Sequence, residues 1–332
     1  MAAGCRVSWL IPVRDGASTL GLAVRSALSE CGPLDEVVIV DDGSRDAPER
    51  VLPASDRLRL IRQEPLGIAA ALERGRAACR GAFIARLDAD DRALPGRIEA
   101  QLGVMEAQPR LGAVGGQANL VSPPGPGGEG MRAYVEQVNA LSAPEDLARF
   151  LLVESPLFHP ATTLRAEALA AVGGWREGDF PEDYDLWLRL VRAGFTLASV
   201  PQPVVQILDR AERLTRTDPR YRRAAFEQLK REHLLPRLRP GLRIGLWGAG
   251  RTGRSWLSWL RRVERRPTLL VDAYALGHRG DLPVRPPEAL LEHPVDLLLV
   301  AVGARGAREE IRQRLCELCL PLREGEGWIA LA

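Results

Sequence analysis

The sequence predicts an α/β protein: a doubly wound, largely parallel sheet followed by a second, smaller α/β unit. Three observations carry that expectation. Strand-like and helix-like patterns alternate from residue 7 to residue 116, the order that builds a parallel sheet covered by helices. Residues 36–42 read EVVIVDD, a nearly unbroken apolar run ending in acid, as expected of a parallel strand buried on both faces. Residues 239–253 read RPGLRIGLWGAGRTG and restart the strand–glycine loop–helix pattern. A boundary at 238 follows, giving domains 1–238 and 239–332, a division that suits a chain of 332 residues.

The elements follow in order. VSWLIPV (7–13) is apolar and β-rich, and STLGLAVRSAL (18–28) has helical spacing. LRLIRQ (58–63) and AFIARLD (82–88) are strands on either side of an alanine-rich helix, 67–79. PGRIEAQLGVMEA (95–107) places proline at a helix start, where its missing N–H costs nothing. LGAVGG (111–116) is a short strand, and SPPGPGGEG (122–130) is a Pro/Gly loop. Helical stretches near 144–153 and 165–172 precede a strand, FTLASVP (195–201), a polar loop, 209–221, and the charged helix RRAAFEQLKREHLL. The last unit reads as strand 243–247, helix 253–262, strands 268–271 and 297–302, and helix 306–318.

Composition removes several function classes. The formal charge is +2, too small for the electrostatic footprint of a nucleic-acid binder. Lys230 is the only lysine, a compositional habit and not a binding signal. No apolar run reaches the ~18 residues needed to span a bilayer. The start, MAAGCRVSWLIPV, lacks the basic opening and long apolar stretch of a signal peptide. A cytoplasmic protein is expected, with membrane contact at most peripheral, at the inner face. Five scattered cysteines are not a disulfide framework. Cys316 and Cys319 form a lone CxxC with no second ligand pair nearby.

The chemistry concentrates in FIARLDADDRALPGR (83–97). Asp88, Asp90 and Asp91 crowd three like charges at the carboxyl end of a strand, where open α/β sheets bind ligands. Asp41-Asp42 ends another strand in the same way. Capping of the following turn is the competing account of each. A divalent cation explains the denser cluster better, because it neutralises the repulsion. Carboxylates without nearby His or Cys favour Mg²⁺ or Mn²⁺. Such ions leave positions for phosphate oxygens, and stabilise charge on a departing phosphate as Lewis acids.

IPVRDGASTL, VVIVDDGSRD, RGAFIARLDADD, LPGRIEAQ and FPEDYDLWLRL, in that order and spacing, strongly resemble family 2 glycosyltransferases of the GT-A fold. The resemblance covers roughly residues 5–235. It implies a GT-A nucleotide-diphospho-sugar transferase domain, a nucleotide-sugar donor, and a saccharide or lipid-linked acceptor, in polysaccharide or glycoconjugate assembly. It implies that Pro12, Val13, Arg14 and Asp15 line the nucleotide pocket, with Gly67 in the donor-binding set, and that Asp42 accepts a hydrogen bond from the base. Asp88 and Asp90 match the Asp-x-Asp metal motif, and Asp183 of Pro181-Glu182-Asp183 matches the catalytic base, with Glu182 beside it. The chain departs from the family pattern at Arg14, where an aromatic often stacks on the base, and at Asp15 and Glu73, where Asn is common. Arg14 can still stack through its planar guanidinium.

Sugar transfer needs a stabilised diphosphate leaving group and a base for the acceptor hydroxyl. If Asp183 acts opposite the leaving group, a single displacement inverts the anomeric centre. The competing account of Glu182-Asp183 is helix-dipole compensation at the start of YDLWLRLV. His159, in SPLFHPATTL, is the only histidine before His233; a core role and contact with diphosphate or acceptor both fit it, and related chains often read HPT here. Arg213 and Arg216, in the 209–221 loop, fit either a phosphate clamp that closes with the loop or a solvated surface. Trp175 and Trp187 are candidates to frame an acceptor sugar, with core packing the stronger expectation for Trp187.

In the last unit, Gly248, Gly250 and Gly253 complete a GxGxxG between strand and helix, and Asp272 ends the next strand. That is the dinucleotide fingerprint with its ribose-binding acid. The unit is too short for a full dehydrogenase domain, and glycines also recur where a helix packs tightly on a strand. The run from Val271 to Ile311 resembles the small Rossmann-like domain at the front of some sugar acyltransferases. Three roles fit: a structural or assembly module, a nucleotide or nucleotide-sugar binder, and an NAD(P) binder. For the whole chain, the alternatives to sugar transfer are an NAD-dependent oxidoreductase built on this unit and a non-catalytic nucleotide-sugar scaffold. The oxidoreductase reading leaves Asp88, Asp90 and Asp183 unexplained.

Overall fold

The computed structural model describes residues 5–122, 129–210 and 213–332. The chain forms two compact units, one of residues Met1–Leu147 with Ser155–Phe226, the other of Ala148–Glu154 with Glu227–Ala332. The division falls inside the helix Arg223–Leu234 and not at 238, since that helix contributes its second half to the later unit. Most of the Pro/Gly loop and part of the 209–221 loop lie outside the described residues. No described helix is long and apolar enough to cross a membrane.

The first unit is built on strands β1 (Val7–Val13), β2 (Glu36–Asp42), β3 (Leu58–Gln63), β4 (Phe83–Arg86), β5 (Arg92–Ala93), β6 (Leu111–Val121), β7 (Thr163–Arg165) and β8 (Thr196–Leu208). They order as β3-β2-β1-β4-β7-β6-β8-β5. β1 and β2 are buried along their whole length, which is why their sequences read apolar on both faces. The sheet is mixed, not uniformly parallel: β7 runs antiparallel to both β4 and β6, and β5 antiparallel to β8. β7 is only three residues long, too short to leave a periodic signal.

β6 and β8 extend well past the expected 116 and 201. They pair with each other in parallel from Leu111–Thr196 to Val121–Leu208. The prolines of SVPQPVV argue against a strand, yet the register shifts around Gln117, opposite Pro203, absorb the missing donor. The helix expected to open at Pro95 begins at Arg97, because Gly96 takes φ 79 at the cap and leaves Pro95 in the preceding turn.

The second unit carries β9 (Ile244–Trp247), β10 (Leu269–Val271), β11 (His278–Arg279), β12 (Leu282–Arg285), β13 (Leu297–Val300) and β14 (Trp328–Ala330), ordered β11-β12-β10-β9-β13-β14. Helix Arg251–Arg262 buries Trp256, Leu257, Trp259 and Leu260 against this unit. β11, β12 and β14 have no counterpart in the sequence expectation; each is four residues or shorter.

Candidate active site

Strands β2, β1 and β4 lie side by side and parallel, so their carboxyl ends share one edge of the sheet. Asp41-Asp42, Arg14-Asp15 and Asp88–Asp91 therefore converge there. β7 enters antiparallel to β4, with the Arg86 N–H donating to the Thr162 carbonyl at 2.9 Å. The turn His159–Ala161 just before β7 thus stands at the same edge. β8 delivers its end too: the Leu208 N–H donates to Asp91 Oδ1 at 3.0 Å.

One oxygen from each of Asp88, Asp90 and Asp91 lies within 4.8 Å of the others. Asp91 is 1% exposed, and its Oδ2 is buried without a hydrogen-bond partner. Burial, then Asp88 and Asp90, push the Asp91 carboxyl well above the ordinary range. Burial and Asp88 raise Asp90 as well. Burial acts on Asp88 in the same sense, but the charges of Arg86 and Arg213 outweigh it and hold Asp88 low. An all-oxygen set with mutual repulsion and an orphaned buried oxygen fits a hard divalent cation. Asp91 stands as a third carboxylate beside the expected pair Asp88 and Asp90.

Arg86 is buried at the centre of this charge. It pairs with Asp88, and its guanidinium also feels Glu182 and Asp91. Glu182 and Asp183 occupy the first turn of helix Glu182–Arg192. Glu182 is 2% exposed; its Oε2 accepts from the Tyr221 hydroxyl at 2.7 Å, and Oε1 lies 3.7 Å from His159 Nδ1. Burial works against its charge, but His159 and Tyr221 hold its carboxyl below the ordinary value. Asp183 is the opposite case. Burial, then the neighbouring Glu182 charge, raise its carboxyl to about 8, although Oδ1 accepts from the Tyr184 N–H at 2.7 Å. Two adjacent carboxylates pushed apart in this way suit a fixed anion beside a proton acceptor.

His159 is buried, and burial and Arg86 lower its imidazole to about 4, so it is neutral at physiological pH. Trp175 Nε1–H donates to its Nε2 at 3.2 Å. An indole N–H is only a donor, so the proton of the neutral ring sits on Nδ1, facing Glu182. Trp175 and Trp187 are both buried and pack around His159. Neither presents an open face to frame a sugar.

At the nucleotide end, Pro12 and Val13 are buried, while Arg14 and Asp15 are exposed. Asp15 ties its loop to the next, its N–H donating to Ser44 Oγ at 3.0 Å and its Oδ1 accepting from the Arg45 N–H at 2.8 Å. Asp42 already accepts from Gln63 Nε2, the Leu66 N–H and the Gly67 N–H at 2.7–2.9 Å. Of the ~4 acceptor sites of a carboxylate, one remains, on Oδ2, with Arg14 Nη1 3.9 Å away. Gly67 adopts φ +96, a conformation that side chains disfavour. Glu73 is turned to structural use: it accepts from the Trp175 N–H at 2.5 Å and pairs with Arg76.

The two loop arginines separate. Arg216 Nη2 pairs with Asp209 at 2.7 Å, while Arg213 acts on Asp88, Asp90 and Asp91 and holds a buried Nη1 without a hydrogen-bond partner. Sequence reasoning missed Arg97 and Gln101. Arg97 is fully buried and donates to the carbonyls of Arg86, Pro160 and Thr162 at 2.8–3.0 Å. Gln101 donates to the carbonyls of Val114 and Ala161. Together they clamp the His159 turn against β4. Their signal was present in LPGRIEAQ, polar residues at i and i+4 on a helix otherwise apolar on that face.

In the second unit the glycine loop is closed upon itself. A Cβ on Gly253 would stand 1.7 Å from the Gly248 carbonyl oxygen, and one on Gly248, at φ +121, 2.7 Å from the Ala301 carbonyl. A Cβ on Gly250 meets nothing within 4 Å. Asp272 Oδ2 accepts from the Ala249 N–H of the loop at 2.7 Å, and Oδ1 from the N–H groups of Tyr274 and Ala275. The acid expected to hold a ribose is already engaged in fastening the loop to β10. Cys316 and Cys319 are free and exposed.

Residues 8–145 match the family model described as Glycosyl transferase family 2. The chain is 26% identical over 187 residues to the amylovoran biosynthesis glycosyltransferase AmsE of Erwinia amylovora, covering 52% of this chain and 64% of that one. It is 28% identical over 204 residues to the putative glycosyltransferase EpsE of Bacillus subtilis, covering 59% and 70%. Among solved structures it resembles S. aureus TarS 1-349 in complex with UDP-GlcNAc, with TM-score 0.53 and 14% identity over 71% of this chain and 68% of that one. That likeness is one of fold, and it is the GT-A fold expected of the first unit. The matched stretch, residues 8–145, is similar to glycosyl transferase family 2 and contains the strand-end acids Asp41-Asp42 and Asp88–Asp91, while Glu182-Asp183 lies beyond it.

Proposed function

We propose that this protein is an inverting, cation-dependent glycosyltransferase that moves a sugar from a nucleotide-diphosphate donor to an acceptor hydroxyl. The observation that carries the reading is the gathering of the Asp88–Asp91 cluster and the Glu182-Asp183 pair around buried Arg86. Asp88, Asp90 and Asp91 would hold Mg²⁺ or Mn²⁺, which supplies charge stabilisation for a departing diphosphate. The protein's own residues supply the rest. Arg213, with an unpartnered buried nitrogen, is placed to bind a phosphate oxygen; Arg216, held by Asp209, is the weaker clamp. Pro12, Val13, Arg14, Asp15, Asp42 and Gly67 form the base and ribose side. Asp183 Oδ takes the acceptor proton as the acceptor oxygen attacks the anomeric carbon and the carbon–oxygen bond to the diphosphate breaks. Glu182, kept ionised by Tyr221 and neutral His159, holds the Asp183 carboxyl basic enough for that role. A saccharide or lipid-linked acceptor is the class that the family resemblance implies.

The test needs no knowledge of the acceptor. Donor hydrolysis, with water as acceptor, is followed by NMR across a panel of nucleotide sugars with Mn²⁺. The expected result is slow release of a sugar whose first-formed anomer is inverted. A retained anomer contradicts single displacement, and no turnover of any donor favours the scaffold reading.

A further inference from the structure

The second unit contains a cavity of about 650 Å³ that the sugar-transfer reading does not use. Its position is set by the fold. Ile244, the first residue of β9, and Leu242 just before it line the cavity, so it sits at the amino end of the strand, opposite the glycine loop that follows Trp247. Its rim carries Arg239, Arg261, Arg262, Arg265 and Arg266 against one acid, Glu264. That is a formal +4 in one cavity of a chain whose net charge is +2.

Two of the five arginines are fixed by the protein. Arg265 donates through Nε to the Leu238 carbonyl at 2.6 Å and through Nη1 to the Glu264 carbonyl at 3.2 Å. Arg261 donates to the Arg279 carbonyl and pairs with Asp281. Asp296 pairs with Arg243 and Glu227 with Arg231. Among the described residues, Arg239, Arg262 and Arg266 form no ion pair. The negative end of helix Arg251–Arg262 accounts for Arg261 and Arg262. It does not account for Arg239 and Arg266, which come from other segments. Arg239, Arg262 and Arg266 are exposed, and an anion bound among them would relieve the repulsion between their like charges. Guanidinium groups match phosphate oxygens in geometry as well as charge, and the volume lies within the ~300–1,000 Å³ of small-ligand sites.

We propose that this cavity binds a phosphate- or diphosphate-bearing anion through Arg239, Arg262 and Arg266, independently of the donor site in the first unit. A soluble phosphorylated molecule and the headgroup of an anionic membrane lipid share that chemistry. The experiment separates them. The full chain, in EDTA so that the acid cluster holds no cation, is titrated calorimetrically with inorganic pyrophosphate. In parallel it is sedimented with phosphatidylcholine vesicles with and without phosphatidylglycerol. R262A/R266A and R262K/R266K are run alongside wild type, with thermal melts to confirm that each variant folds, and R239A replaces any that does not.

Wild-type binding of pyrophosphate that weakens at least about tenfold in the alanine pair, less in the lysine pair, and with rising salt, supports a soluble ligand. Phosphatidylglycerol-dependent sedimentation lost in the alanine pair, without pyrophosphate binding, supports a lipid headgroup. Absence of both kinds of binding in wild type, or binding that the alanine pair leaves unchanged, overturns the proposal.

Discussion

Asp183→Asn is expected to keep nucleotide binding and to lower sugar transfer by ~10²–10⁴-fold, the usual cost of removing a general base. The substitution preserves shape and the hydrogen bond from the Tyr184 N–H, so binding and fold should survive. The pH dependence adds a second reading of the same residue. A base acts only when deprotonated, so activity must rise with pH through its ionisation. Burial and Glu182 raise Asp183 to about 8 from an ordinary value of 3.8. The rising limb of kcat/KM should therefore lie far above the usual carboxylate range, and the variant should lose that limb. A wild-type profile already flat from pH 5 upward would remove Asp183 from the role.

Arg86→Met should lower stability by about 3–5 kcal/mol, the cost of leaving buried charge without its partner. The methionine fills much of the space but leaves Asp88 without its ion-pair partner and removes a positive charge that also acts on Glu182 and Asp91. Urea unfolding followed by tryptophan fluorescence gives the midpoint. Part of the loss should return when Mn²⁺ is added, because a cation bound only by the folded cluster stabilises it by mass action. A midpoint that neither falls in the variant nor responds to Mn²⁺ would mean that Arg86 does not balance this charge.

Much of this was legible in sequence because the relevant signals are local. EVVIVDD and VSWLIPV announce buried parallel strands by their own composition, and the topology of parallel strands puts their acidic ends on one edge. What was not legible depends on partners distant in the chain. β6 and β8 run longer than their patterns suggest, since each is completed by the other and the prolines of β8 are tolerated only at a register shift. The cluster of Asp88, Asp90 and Asp91 is legible, but not the burial of Asp91, whose Oδ1 accepts from the Leu208 N–H at the end of β8. Arg97 stands out in sequence only as a polar residue on an apolar helix face, and the three carbonyls it donates to, which hold the His159 turn, come from distant segments. Asp272 shows the reverse error. A fingerprint acid at the right spacing is engaged by three backbone N–H groups, a use that no spacing rule separates from ribose binding.

The central claim is that the carboxylates at the end of β4 hold a cation and, with it, a nucleotide diphosphate. Calorimetry of UDP, GDP and dTDP, with and without Mn²⁺, on wild type and Asp90→Ala tests it most directly. The account predicts binding of one nucleotide that requires Mn²⁺ and disappears in Asp90→Ala, which would also name the base of the donor. Nucleotide binding indifferent to both the metal and the substitution, or no binding of any of the three, would contradict it.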